Sequence, residues 1–165
     1  MRNLKIFVVF LISGLFIVST VSISQTVYKF NDGLEKAKSS KKLVLVNIYS
    51  ESDTWCTKMD AVYSNENIKS IINSNFIYVK LNGQGLDKVT YNGKQITESE
   101  LAKQLGVTGY PTHVFLNSDG SVIKFKYNGE MTGSFPGYIE ANDFEKVLKY
   151  FANGQYKDTD LAKVF

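Results

Sequence analysis

The sequence is almost without the residues that build disulfides and metal centres. Among its 165 residues there is one cysteine, Cys56, and one histidine, His113. A single cysteine excludes an internal disulfide, and one cysteine with one histidine excludes the zinc sites that need several such ligands. No group of carboxylates has the spacing of a calcium-binding loop. We therefore predict a protein with no metal and no bound cofactor.

Arginine is nearly absent as well, because Arg2 is the only one in the chain. Arg2 and Lys5 both lie in the N-terminal segment, and without them the 19 basic residues fall to 17 against 16 acidic ones, a net charge of +1. Such a chain lacks the basic surface with which proteins bind a phosphate backbone. We predict that nucleic acid is not a partner.

The N-terminal segment has the pattern of a secretory signal. Arg2 and Lys5 precede an apolar run over residues 6–18, and small residues stand at the two positions that signal peptidase reads before Gln25. This order of a basic start, an apolar run and a small-residue cleavage site is typical of a signal peptide. We predict that residues 1–24 are removed.

The remaining residues, 25–165, suit a single domain. We expect that domain in the periplasm or outside the cell. The uncharged stretch 6–28 is also long enough to span a bilayer, so an uncleaved segment that anchors the protein to the membrane stays open.

The apolar pattern predicts alternating helices and strands, which is typical of one α/β domain. In chain order the predicted elements are helix 31–40, strand 43–49, a helix from near Trp55, helix 65–74, strand 76–81, a hairpin at Asn92-Gly93, a helix from the Thr97 and Glu100 capping box to Leu105, a hairpin of 113–116 with 122–127, and a helix capped by Asn142 and Glu145.

Three stretches of the chain resemble the thioredoxin superfamily. They are VLVNIYSESDTWCTKMD at 44–60, GVTGYPTHVFLNSDGSVI at 106–123, and PGYIEANDFEKVLKYFANGQYK at 136–157. The third is similar to the C-terminal helix of exported thioredoxins of the sulfur-oxidation type. The resemblance implies a thioredoxin fold, with a central mixed β-sheet flanked by helices, a cis-proline loop at Tyr110-Pro111, and a C-terminal β-hairpin plus helix.

The redox motif of that family, Trp-Cys-x-x-Cys, is incomplete here. An alignment without gaps places the first cysteine position at Asp53 and the second at Cys56. A second alignment makes Trp55-Cys56 the Trp-Cys pair and puts Met59 at the second position, but it needs three inserted residues. We favour the ungapped alignment, in which the motif reads Asp-x-x-Cys.

This substitution removes the usual reaction. A reductase attacks with an exposed thiolate and then needs a second thiol to release the mixed disulfide. Asp53 cannot attack sulfur, although it can cap the helix that follows. Its charge is expected to oppose ionisation of Cys56 more strongly than the helix dipole favours it. Asn47 lies where many thioredoxins have a buried aspartate, and an amide cannot accept a proton in that role.

The loop that contains Pro111 is the predicted binding surface. In the family, the backbone before this proline pairs with an extended substrate segment, so binding needs no chemistry. Trp55 and Tyr110, with Phe135 as a further candidate, are expected to supply an aromatic surface beside it. His113 follows the proline at the start of a strand and is expected to be structural.

The leading hypothesis is an exported thioredoxin-family protein that binds extended peptides or protein thiol partners, with little or no dithiol oxidoreductase activity. The alternative is a monothiol oxidoreductase that forms mixed disulfides through Cys56. A peroxidase resembling the peroxiredoxins is disfavoured, because Asp53 replaces their hydroxyl residue and no arginine follows Arg2.

Overall fold

The computed structural model describes residues 24–165, so the predicted signal segment lies outside the described residues except for Ser24. The elements are β1 (Val27–Tyr28), α1 (Phe30–Ser40), β2 (Leu43–Tyr49), α2 (Thr54–Tyr63), α3 (Glu66–Asn75), β3 (Phe76–Asn82), β4 (Lys88–Tyr91), β5 (Lys94–Thr97), α4 (Glu98–Gln104), β6 (Thr112–Leu116), β7 (Phe125–Tyr127), β8 (Glu130–Thr132), β9 (Phe135–Pro136) and α5 (Ala141–Ala152), followed by 3-10 turns at Gln155–Lys157 and Leu161–Lys163. None of the helices in this part of the chain is both long and apolar enough to traverse a bilayer.

Five strands form the central sheet, in the order β1-β3-β2-β6-β9. The first three run parallel, whereas β6 is antiparallel to β2 and β9 is antiparallel to β6. Two further hairpins, β4-β5 and β7-β8, lie outside this sheet. The predicted α/β class, a central mixed sheet flanked by helices, is confirmed.

Both faces of β2 are buried, as its nearly continuous apolar sequence predicts. Leu45 faces a core that also contains Phe115 and the buried side chains of α2, α3 and α5. Val46 and Ile48 face the opposite core, beneath α1 and α4. A short loop after β2 leads into α2, so the sheet fixes where α2 begins.

The predicted hairpin of residues 113–116 with 122–127 forms only beside its turn. Leu116 bridges Val122, and the Ile123 N–H donates to the Phe115 carbonyl oxygen at 2.9 Å. The pairing stops there, and β9 lies beside the start of β6. β7 pairs with β8 instead, across a turn at Asn128 and Gly129 with φ of 52° and 85°. The Asp160 carboxylate accepts hydrogen bonds from both turn N–H groups, at 3.1 and 2.7 Å. Asn-Gly favours such tight turns, so local pairing prevails over the longer hairpin.

The predicted cap of the last helix is wrong. α5 begins at Ala141, with Glu140 at the N-cap and no side-chain cap, so Asn142 and Glu145 already lie inside the helix. Glu145 accepts hydrogen bonds from Asn67 of α3 and from Lys149 instead. The carboxylate therefore joins two helices rather than closing a capping box.

Candidate functional site

The candidate site begins where the chain enters α2. Asp53 has an extended backbone, with φ −94° and ψ 121°, and forms the N-cap of the helix. Its Oδ1 accepts hydrogen bonds from the backbone N–H of Trp55 at 2.8 Å and of Cys56 at 3.1 Å. These are N–H groups that a helix start leaves without intrahelical partners. Asp53 thus holds its carboxylate against the first turn.

The thiol of Cys56 lies within that first turn and is buried, with 5% of the residue exposed. Burial is the main cause that raises its pKa, and a hydrogen bond with the Ser50 backbone offsets part of the rise. The charge of Asp53 and its hydrogen bond to Cys56 raise the pKa further. The sequence predicts repulsion from Asp53 as the dominant effect, whereas in the structure desolvation is larger. Both act to keep the thiol protonated.

A buried amide stands on β2, ahead of the loop into α2. Asn47 is 1% exposed, and its Nδ2 donates to the Tyr78 hydroxyl at 3.2 Å. Its Oδ1 has no hydrogen-bond partner among residues 24–165. Tyr78 in turn stacks on Tyr63 of α2, with 4.7 Å between ring centroids. This position therefore offers polar contacts but no titratable carboxylate.

His113 connects α2 to the loop before α5. Its Nδ1 lies 2.9 Å from the Tyr63 hydroxyl and its Nε2 lies 3.2 Å from the Gly137 carbonyl oxygen. Because a carbonyl only accepts, Nε2 carries the proton and Nδ1 accepts from Tyr63. Burial lowers the pKa of His113 to about 4, with partial compensation from the Gly137 bond. The imidazole is therefore neutral near pH 7, in a structural position.

The Tyr110–Pro111 peptide bond is cis, and Pro111 is buried. The Pro111 carbonyl accepts a hydrogen bond from the Gly137 N–H at 2.7 Å, which joins the two loops. Tyr110 packs so closely on Gly83 that a Cβ added there would lie 2.3 Å from Tyr110 Cε1. The half-buried Tyr110 lines a cavity of about 240 Å³ together with Lys103.

Trp55 lies in a different depression from Tyr110. It is 50% exposed and lines a groove of about 510 Å³. The apolar members of this surface, here called the Trp55 groove, are Trp55, Tyr127, Phe135, Tyr138, Ile139 and Phe165. The structure therefore brings Trp55 and Phe135 together but places Tyr110 in the lining of another cavity.

Sequence reasoning missed Tyr138, whose ring centroid lies 5.7 Å from that of Trp55. The signal that points to it is Pro136-Gly137, a dipeptide typical of a turn that carries the next side chain out of the strand. Among residues 24–165, no three His, Cys, Asp or Glu side chains are grouped so that they could hold a metal ion.

Comparisons with known proteins agree with this architecture. A family described as "Thioredoxin-like domain" matches residues 30–152. A search of curated proteins finds no match.

Three solved structures show the same fold. A thioredoxin-fold protein from Helicobacter pylori is 24% identical, with a TM-score of 0.59 over 75% of this chain and 80% of its own. A thioredoxin from Thermus thermophilus is 24% identical, with a TM-score of 0.56 over 78% and 87%. A putative disulphide-isomerase from Bacteroides thetaiotaomicron is 24% identical, with a TM-score of 0.55 over 78% and 91%. On the match over residues 30–152, this chain is a member of the thioredoxin-like family, with one cysteine.

Proposed function

We propose that this protein is an exported member of the family that binds extended peptides or protein thiol partners beside Pro111, with little or no dithiol oxidoreductase activity. The observation that carries the proposal is the pairing of a capping carboxylate at Asp53 with a buried, protonated thiol at Cys56. In the ungapped alignment, Asp53 stands at the position where the family's motif has its attacking thiolate.

The chemistry of disulfide reduction supports this assignment. The first thiolate displaces one sulfur of the substrate and forms a mixed disulfide, and the second thiol then displaces the other substrate sulfur. With Cys56 as the only cysteine, the second displacement has no intramolecular donor. A buried thiol with a raised pKa is also a poor first nucleophile.

The loop before Pro111 supports binding by main-chain hydrogen bonds. Within residues 24–165, the backbone N–H groups of Gly109 and Tyr110 donate to no acceptor. Free N–H groups next to a sheet strand are suited to pairing with an added extended segment. The hydrogen bond from the Gly137 N–H to the Pro111 carbonyl oxygen fixes the loop that carries these N–H groups. The loop is therefore held in place before a peptide binds.

The test combines a turnover assay with a binding assay on the same protein. We expect no acceleration of insulin reduction by dithiothreitol, and measurable binding of the carboxymethylated insulin B chain in calorimetry. Carboxymethylation blocks the thiols of that chain, so its binding requires no disulfide chemistry. Rapid insulin reduction, or no binding of the blocked chain, would contradict the proposal.

The same preparation tests the monothiol alternative. Incubation of the folded protein with glutathione disulfide should leave Cys56 without an adduct in mass spectrometry. A rapid, stoichiometric glutathione adduct would instead support an oxidoreductase that works through mixed disulfides.

Export is part of the proposal and has its own readout. If residues 1–24 are a signal peptide, the protein recovered from the secretory route should begin at Gln25. A chain that retains residue 2 and stays with the membrane fraction would support the anchored alternative.

A further inference from the structure

Two aromatic pairs line the Trp55 groove. The rings of Trp55 and Tyr138 lie 5.7 Å apart, tilted by 38°. Tyr127 meets Phe135 edge to face, with 5.0 Å between the ring centroids. Phe135 and Ile139 are nearly buried, at 7% and 8% exposure, so the floor of the groove is apolar. Surfaces of this kind favour a flat aromatic ring over an aliphatic chain.

One aromatic ring of the protein already occupies part of the groove. Phe165 lies nearly parallel to Phe135, with ring centroids 6.2 Å apart and 13° between the planes. This geometry is within the range of favourable aromatic pairs. Phe165 nevertheless remains 48% exposed, and it follows a short 3-10 turn rather than lying within a long helix. Phe165 therefore shows that the groove accepts an aromatic ring, although Phe165 covers the groove only in part.

The charges at the groove favour a basic neighbour for that ring. Two carboxylates, Glu140 and Asp143, also line the groove. Asp143 forms an ion pair with Lys146 at 2.9 Å. Glu140 has no cationic partner among residues 24–165, although its carboxylate interacts with the Tyr138 hydroxyl. The Lys58 ammonium lies 4.1 Å from the centre of the Trp55 ring but does not line the groove. Glu140 is thus the groove carboxylate that has no basic partner of its own within residues 24–165.

We propose that the Trp55 groove binds an aromatic side chain of an extended client peptide, next to a lysine or arginine that pairs with Glu140, and that Phe165 is the internal occupant displaced by the client ring. The inference rests on the proposed function and specifies its substrate class. It adds the requirement for an aromatic side chain in the client peptide. Binding beside Pro111 does not impose this requirement, because main-chain hydrogen bonds alone do not select for aromatic side chains.

The chain supplies its own reporter for the test, because Trp55 is its only tryptophan. Three blocked peptides are titrated while Trp55 fluorescence is recorded: Thr-Lys-Phe-Lys-Thr, the same peptide with Leu for Phe, and the same peptide with Glu for both Lys. We expect the Phe peptide to shift the emission and to bind about threefold to tenfold more tightly than the Leu peptide. The Glu peptide should bind more weakly than either.

Variants separate the two parts of the proposal. Phe165→Ala should tighten binding of the Phe peptide, because the internal competitor is gone. Phe165 is half exposed, so the variant is expected to fold, and circular dichroism checks that it does. Glu140→Gln should weaken binding of the Lys-containing peptide about twofold to fivefold. Glu35→Gln on α1 is the matched control that changes nothing, because Glu35 is exposed and, like Glu140, has no ion-pair partner among residues 24–165. Weaker binding in Phe165→Ala would make Phe165 a wall of the site and overturn its role as an occupant.

Other outcomes are equally decisive. Equal affinity for the Phe and Leu peptides would overturn the inference and leave the proposed function intact. No binding of these peptides or of the blocked insulin chain would refute the proposed function itself. A concentration-dependent dimer that Trp55→Ala abolishes would identify a second copy as the occupant and overturn the peptide assignment.

Discussion

Replacing Asp53 with cysteine is expected to turn a protein that does not accelerate insulin reduction into one that does, by at least about tenfold over the uncatalysed rate. The introduced thiol would stand at the N-cap of α2, where the helix lowers thiol pKa values, and Cys56 lies three residues later as the second thiol. The lost carboxylate cap is expected to reduce the free energy of unfolding by about 1 kcal/mol. Insulin reduction with dithiothreitol measures the gain.

Two controls make this result specific to the dithiol pair. Asp53→Ser retains a capping oxygen and removes the charge without adding a thiol, so it should stay inactive. Asp53→Cys combined with Cys56→Ser should lose the gain, because the mixed disulfide then has no internal donor to resolve it. Inactivity of a folded Asp53→Cys variant would show that these two positions do not form the redox pair of the fold.

His113 is expected to make the protein lose stability as the pH falls below neutral. Its pKa is about 4 in the folded protein and about 6.5 when unfolded, so the unfolded chain binds the extra proton first. The stabilisation by the neutral buried ring is complete above pH 6.5 and is lost progressively down to pH 4. The expected loss is about 3 kcal/mol in the free energy of unfolding.

Denaturant unfolding at several pH values measures this loss. His113→Gln cannot titrate, so its unfolding free energy should fall by about 3 kcal/mol less than that of the wild type between pH 7 and pH 4. Tyr63→Phe is the matched control, because it removes the hydrogen bond to Nδ1 and keeps the imidazole. It should lower stability and keep the pH dependence. Parallel pH curves for His113→Gln and the wild type would refute the assignment.

Much of the fold follows from local signals in the sequence. The apolar run of β2 and the capping box of Thr97 and Glu100 both produce the elements they predict. The Asn92-Gly93 hairpin does so as well, with Tyr91 paired to Lys94. These signals are reliable because they depend on neighbours in sequence and on burial of both strand faces.

The predictions that fail concern residues that could pair with more than one structural partner. Strand β7 could pair with β6 or with β8. The Asn128-Gly129 turn, which Asp160 holds by hydrogen bonds, favours β8. Glu145 had two possible roles, and tertiary contact with Asn67 prevails over the cap. Sequence spacing does not rank such alternatives, because the deciding partner lies far away in the chain.

At the candidate site, too, local features can be predicted from the sequence, whereas contacts between distant segments cannot. Asp53 follows from local rules, since a carboxylate before a helix caps it. The Trp55 groove does not, because Trp55, Tyr138 and Phe165 come from three distant segments that only the fold brings together. The energetic ranking at Cys56 also required the fold, since burial cannot be weighed against charge from spacing alone.

The reactivity of Cys56 in the folded protein tests the central claim most directly. The rate of modification by a chromogenic disulfide reagent at pH 7 is measured in the native state and again in denaturant. A buried, protonated thiol should react about a hundredfold or more slowly in the native state than after unfolding. Native modification as fast as that of the unfolded chain would show an accessible, ionised Cys56, and the account of a dormant redox centre would be wrong.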